Sequence, residues 1–114
     1  EKTELMTFDL ISGKWKNEGV MFSKMDNPAI TSNGNTVYLF EDGKIITYNV
    51  NSKELKQFPI NLDLFQSNIH FANDKLYILG GFTQTSYSIS PSNKLYSVDL
   101  NEFNTTKTFK YKVL

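Results

Sequence analysis

Three segments of this chain repeat the same strand-and-turn unit, and this repetition constrains the fold more than any other feature. Each segment is an apolar, β-favouring stretch that ends in Asp or Asn, at Asp9, Asn49 and Asp99. Turn-forming residues follow each one. Strand-ending Asp and Asn side chains accept backbone N–H groups two residues further on, so we interpret these three residues as turn caps and not as a ring of acids.

A second pair of matching segments precedes two of these strands. Residues 35–40, which include Tyr38, match residues 74–79, which include Tyr77. The stretch 29–34 aligns with 68–73 without a gap. The units recur at about 40 to 50 residues, a period typical of propeller blades and not of helical solenoids.

The complete units each predict four antiparallel strands. In the first unit these cover 29–32, 36–40, 44–50 and 55–58, with tight turns at Asn33-Gly34 and Asp42-Gly43. In the last unit they cover 69–71, 75–79, 94–99 and 107–112. The turn within 101–108 is expected to hold about four extra residues, and 80–93 is expected to be a long loop between the second and third strands. The start of the chain supplies the third and fourth strands of an earlier unit, with Trp15 in the fourth.

Two runs of residues carry further hallmarks of this unit. The run Asp74-Lys75-Leu76-Tyr77-Ile78-Leu79-Gly80-Gly81, followed by Lys94-Leu95-Tyr96-Ser97-Val98-Asp99-Leu100, resembles the kelch motif. Phe8-Asp9-Leu10 and Ser12-Gly13-Lys14-Trp15 resemble its second half. The resemblance covers essentially the whole chain, and it departs from the family at Glu41-Asp42 in place of the Gly pair and at Leu55 and Phe109 in place of Trp.

The resemblance implies an all-β, kelch-like β-propeller fragment of four-stranded antiparallel blades. We divide it into half a blade at 1–27, one blade at 28–66 and a second at 67–114. The motif residues Gly80, Gly81, Trp15, Tyr38, Tyr77, Asp9, Asn49 and Asp99 are then structural. A Gly pair lets two backbones approach closely, and a large aromatic fills the gap between twisted sheets.

Two and a half blades cannot close a ring, because propellers need about four to eight. We therefore expect an uncovered sheet face and remaining blades that come from the same protein or from other chains.

Composition excludes several functional classes. Twelve Lys balance twelve acidic residues and no Arg is present, which argues against nucleic acid as a partner. The absence of Cys excludes disulfides and thiolate chemistry, and leaves the compartment open, with the cytoplasm slightly favoured. No apolar run is long enough for a membrane span, so we expect no membrane partner.

No catalytic constellation, metal site or cofactor is predicted. The chain has no Gly-rich phosphate loop, nucleophile elbow or paired-His motif. The single His, His70, lacks a second ligand and is interpreted as a structural or surface residue.

The best candidate for a functional segment is the long connection, because binding residues concentrate on loops held by a rigid scaffold. Its hydroxyl-bearing and aromatic side chains suit adaptable recognition, and the predicted contact residues are Phe82, Thr83, Gln84, Tyr87 and Ser88. We expect a protein-interaction platform with a protein partner. The alternative is a propeller enzyme or carbohydrate-binding propeller whose active-site residues lie on blades outside this chain. A tolerated insertion without a function is equally compatible with this segment.

Overall fold

A computed structural model describes residues 2–9, 14–23, 28–84 and 87–114, with backbone only for 2–9 and 14–23. These ranges are mostly β-strand, with one short helix, as the sequence predicted for the fold class. The strands are β1 (Lys2–Asp9), β2 (Lys14–Ser23), β3 (Ala29–Asn33), β4 (Thr36–Glu41), β5 (Lys44–Asn49), β6 (Leu55–Pro59), β7 (Asn68–Ala72), β8 (Lys75–Leu79), β9 (Phe82–Gln84), β10 (Ile89–Pro91), β11 (Leu95–Asp99) and β12 (Tyr111–Val113), and the helix is α1 (Leu100–Thr106).

The first two strands form an antiparallel hairpin. Phe8 lies opposite Trp15 and Asp9 lies opposite Lys14 in the register of β1 and β2. The register shifts between Glu4 and Met6. The predicted roles of the Trp15 and Asp9 side chains lie outside the described part of the chain.

Two four-stranded antiparallel sheets follow, and each is a meander in chain order. The first sheet has the order β3-β4-β5-β6. The second has the order β7-β8-β11-β12, with the hairpin β9–β10 inserted between its second and third strands and α1 between its third and fourth. Neither sheet closes on itself.

The two sheets pack face to face around one apolar core. Alternate residues of each strand point to one face, so the facing positions are apolar on both sheets. The first sheet contributes Ala29, Tyr38, Phe40, Ile45 and Phe58, and the second contributes Ile69, Phe71, Leu76, Ile78, Tyr96, Val98 and Tyr111. Burial raises the pKa of Tyr38 above its ordinary value of 10.0, because desolvation disfavours the phenolate.

The first strands of the two sheets, β3 and β7, are edge strands and lie side by side. The Phe71 N–H on β7 donates a hydrogen bond of 3.1 Å to the Thr31 hydroxyl oxygen on β3. A side chain of one sheet therefore satisfies a backbone donor at the edge of the next.

The connection from β6 to β7 is an ordered part of the core. Ile60, Leu62 and Leu64 are buried. The N–H groups of Asp42 and Gly43 donate to the carbonyl oxygens of Leu64 and Leu62, at 2.9 and 3.0 Å. The turn between β4 and β5 therefore holds this connection in place.

Aromatic rings fill the gap between the two sheets near their last strands. Phe103 on α1 stacks on Phe109 at a centroid distance of 3.9 Å, and both rings meet Phe58 of β6 edge-on at 5.0 and 5.3 Å. Phe109 is buried. In the sequence repeat, Phe109 occupies the position of the large aromatic residue.

The enlarged turn expected at 101–108 is wrong in part, because the structure has a helix over most of it. Asp99 is its N-cap and accepts the N–H groups of Asn101 and Glu102, at 2.9 and 3.4 Å. The helix ends at Thr106, and its C-cap, Lys107, takes a left-handed conformation with φ of 59°. The last strand accordingly begins at Tyr111 and not at residue 107.

Candidate functional site

The long connection of the second sheet is a β-hairpin and not an irregular loop. Strand β9 pairs antiparallel with β10, so that Gln84 lies opposite Ile89 and Thr83 opposite Ser90. The Ser92 N–H donates to the Gly81 carbonyl oxygen at 2.9 Å and closes the hairpin at its base. Three of the five predicted contact residues, Phe82, Thr83 and Gln84, therefore lie on one strand.

The base of the hairpin is attached to the β6–β7 connection. Phe65 and Phe82 exchange two backbone hydrogen bonds, of 2.9 and 3.0 Å. Their rings stack at a centroid distance of 5.7 Å with an interplanar angle of 24°. Phe82 thus anchors the hairpin through its packing, and Phe65 is a packing partner that the sequence did not indicate.

The glycine pair lies where the hairpin leaves β8. Gly80 and Gly81 have φ of 73° and 86°, in the region that favours glycine. A Cβ on Gly81 would lie 2.6 Å from the Phe65 carbonyl oxygen and would also collide with the Ser67 hydroxyl, whereas a Cβ on Gly80 would meet nothing within 4 Å. The Ser67 hydroxyl donates to the Gly80 carbonyl oxygen at 3.0 Å. The close approach of Gly81 therefore fixes the direction in which the hairpin projects.

The described residues near the tip of the hairpin are solvent-exposed. Tyr87 is 98% exposed and Ile89 is 63% exposed. Thr83, Gln84 and Ser88 are exposed as well. No charged residue occurs between Lys75 and Lys94, so the hairpin is a neutral surface of hydroxyl, amide and apolar groups.

Two of the three strand-ending Asx residues, Asn49 and Asp99, accept the hydrogen bonds that the sequence predicted for turn caps. The Asn49 side-chain oxygen accepts from the N–H groups of Asn51 and Ser52, at 2.9 and 3.0 Å. Asp99 does the same at the start of α1. Strand pairing in the two sheets sets the positions of Asn49 and Asp99. The side-chain oxygen of each accepts hydrogen bonds from nearby backbone N–H groups.

The remaining predicted residues lie within the sheets. Tyr38 is buried between the two sheets, while Tyr77 is half-buried on the opposite face of the second sheet. His70 is exposed and lies opposite Tyr77 in the ladder. Across residues 28–84 and 87–114, whose side chains are described, no three His, Asp or Glu side chains form a group that could hold a metal ion. Within the described ranges, no helix is long and apolar enough to cross a bilayer.

Comparison with known proteins finds no family model that matches this chain and no curated protein that matches it.

Proposed function

We propose that this chain is part of a kelch-type β-propeller that acts as a protein-interaction platform, with the hairpin β9–β10 as a contact surface. The propeller part of the proposal is supported by the arrangement of the two sheets. They have the same strand order, pack face to face, and place their first strands side by side. Stacking of four-stranded meanders in this way is how propeller blades bury their faces.

The contact surface is supported by one observation above all, the contrast between the anchored base and the exposed tip of the hairpin. Stacked rings and two backbone hydrogen bonds hold Phe82 against Phe65. Beyond that anchor, Tyr87 is 98% exposed. A Tyr side chain combines apolar area with a polar group and has only two side-chain torsions to fix on binding, so an exposed Tyr near an anchored base suits a contact surface.

The neutral character of the hairpin favours a particular kind of partner. Because no charge lies between Lys75 and Lys94, long-range attraction contributes little to the encounter. The tip instead suits an uncharged surface of another protein, into which Tyr87 and Ile89 would insert as apolar anchors. Binding should therefore depend only weakly on salt concentration.

The test uses photo-crosslinking from the hairpin tip. A photoreactive phenylalanine analogue at position 87 should crosslink a defined protein in an extract of the source cells. The same analogue at Ser52, an exposed turn residue far along the first sheet, serves as the control. The crosslinked protein, purified, should then bind the chain, and Tyr87→Ser should weaken this binding about tenfold or more, as expected for an aromatic anchor.

Phe82→Ala tests the anchor separately. It should weaken binding as well, but it should also lower the melting temperature, because the Phe65–Phe82 stack is lost. A protein that crosslinks equally at positions 87 and 52, or that binds Tyr87→Ser as tightly as the parent chain, would exclude the hairpin tip as the contact surface.

A further inference from the structure

The second sheet has a face that does not take part in the core. His70, Tyr77, Leu79, Leu95 and Ser97 lie on it, since Leu79 is opposite Leu95 and Tyr77 is opposite both His70 and Ser97. We name this surface the open face. Leu79 is 49% exposed, His70 is exposed, and Tyr77 and Leu95 are half-buried.

The same positions of the first sheet are covered. By the internal repeat, Tyr77 corresponds to Tyr38 and Leu79 corresponds to Phe40. Tyr38 and Phe40 are 8% and 1% exposed, because the second sheet packs on them. Leu95 likewise corresponds to Ile45, which is fully buried. At these three positions the open face therefore keeps the apolar pattern that is covered in the preceding sheet, while the exposed Asn68 stands where the first sheet has the buried Ala29.

A polar position repeats in the same register. Thr31 lies opposite Tyr38, and His70 lies opposite Tyr77. The Thr31 hydroxyl oxygen accepts a hydrogen bond from the backbone N–H of Phe71, on the first strand of the covering sheet. A neutral imidazole also presents one acceptor nitrogen, so His70 can make the equivalent contact.

We propose that the open face receives a further four-stranded antiparallel sheet of the same repeat, and that His70 accepts a hydrogen bond from a backbone N–H of its first strand. The covering sheet must present an apolar face like the one formed by Ile69, Leu76, Ile78 and Val98. This inference rests on the proposed stacking of blades, and it identifies the surface and the side chain that recognise the next blade.

The structure suggests a probe sheet for the test. Strand β12 occupies the place in the second sheet that β6 has in the first, and the β6–β7 connection begins at Ile60. Leu114 pairs with Leu95 as Phe58 pairs with Ile45, so a second copy of residues 59–114, fused after Leu114 of the full chain, supplies the connection and a sheet whose face already fits this repeat. Because the chain has no Cys, a single Leu79→Cys substitution in the original copy reports the accessibility of the open face.

Leu79→Cys should react with a thiol reagent roughly tenfold or more slowly in the extended chain than in the unextended one, since covering a residue makes labelling depend on local opening. Ile30→Cys, at a site that is 58% exposed, controls for general changes in reactivity. Replacing the added copies of Leu76 and Val98 by Asp should restore fast labelling at position 79.

His70 is tested in the same extended chain. His70→Thr should keep the slow labelling at position 79, because Thr31 makes this contact in the first sheet. His70→Ala should speed the labelling several-fold, which follows from the loss of about 1 kcal/mol that one hydrogen bond contributes. Equal labelling of His70→Ala and the parent would remove the assigned role of His70.

Unchanged labelling of Leu79→Cys in the extended chain overturns the proposal, whether circular dichroism shows the added copy folded or unfolded. In both cases the open face has failed to support a sheet that fits its repeat. The result is independent of the hairpin, because Tyr87 can fail to bind a partner while Leu79→Cys becomes protected, and the reverse can also occur.

Discussion

Gly80 and Gly81 follow strand β8, and only Gly81 lies close to the backbone of Phe65 and Ser67. The difference in the free energy of unfolding between Gly80→Ala and Gly81→Ala therefore measures the cost of disturbing this close contact. Gly80→Ala and Gly81→Ala both place a Cβ on a residue with positive φ. Each substitution should therefore cost about 1 to 2 kcal/mol from the backbone conformation alone. The two sites differ in their surroundings, because only the Cβ at position 81 would meet other atoms within 4 Å.

The additional cost at Gly81 follows from these contacts. A methyl group there would lie 2.6 Å from the Phe65 carbonyl oxygen and 3.1 Å from the Ser67 backbone nitrogen. Backbone atoms cannot move aside as flexible side chains can, so the Phe65 segment must shift away from Phe82. Overpacking of this kind costs about 1 to 3 kcal/mol. We therefore expect a total of about 2 to 5 kcal/mol for Gly81→Ala.

Urea unfolding followed by tryptophan fluorescence or circular dichroism measures both variants. With a slope of about 1 to 3 kcal/mol/M, the midpoint of Gly81→Ala should lie roughly 1 M below that of Gly80→Ala. Amide exchange at Phe65 and Phe82 should accelerate only in Gly81→Ala, because these residues form the bridge that must shift. Equal midpoints for the two variants would refute the reasoning, since the backbone conformation would then account for the whole effect.

Three further predictions concern the core, the helix and pH. Phe109→Ala should lower the free energy of unfolding by about 3 to 5 kcal/mol in urea, because its buried ring packs against two others; Phe109→Leu should cost clearly less. Asp99→Ala should cost about 0.5 to 2 kcal/mol in the same assay through the lost N-cap, while Asp99→Asn should retain most of it. Burial raises the pKa of Tyr38 above 10.0 in the folded chain. The stability that comes from burying the neutral phenol is therefore complete at a pH below the pKa of an unfolded Tyr, and it is lost as the pH rises above that pKa. Tyr38→Phe should therefore weaken the loss of stability above about pH 10, and an unchanged alkaline unfolding curve would contradict this cause.

Turn chemistry predicted most of the strand ends, with one shift of a residue. Asp42 and Gly43 form the expected two-residue turn, with φ of 44° and 78° and with Glu41 opposite Lys44. The other turn was placed at Asn33-Gly34, but the chain reverses at Gly34 and Asn35 because Asn33 pairs with Thr36 in the ladder. Gly34 shows that the chain turns at this point, but the pairing of the two strands determines whether Asn33 or Asn35 is the second turn residue.

The helix and the hairpin anchor could not be predicted, because distant contacts stabilise both. Helix α1 has seven residues rich in Asn and Thr, which have modest helix propensity and show no helical period over so short a length. Its stability comes from the Asp99 cap and from the packing of Phe103 on Phe58 of the other sheet. The stack of Phe65 on Phe82 likewise joins two segments that no local pattern relates.

The open face shows why strand pattern predicts the face of a residue more readily than its burial. Phe40 and Leu79 occupy the same position of the repeat and follow the same alternation, yet they are 1% and 49% exposed. Alternation within a strand places both side chains on the apolar face of their sheets, but burial depends on whether another sheet lies against that face. In a stacked repeat, the surface at which the apolar pattern continues while the packing stops is therefore the place to look for the next partner. Leu79 and His70 mark that surface in this chain.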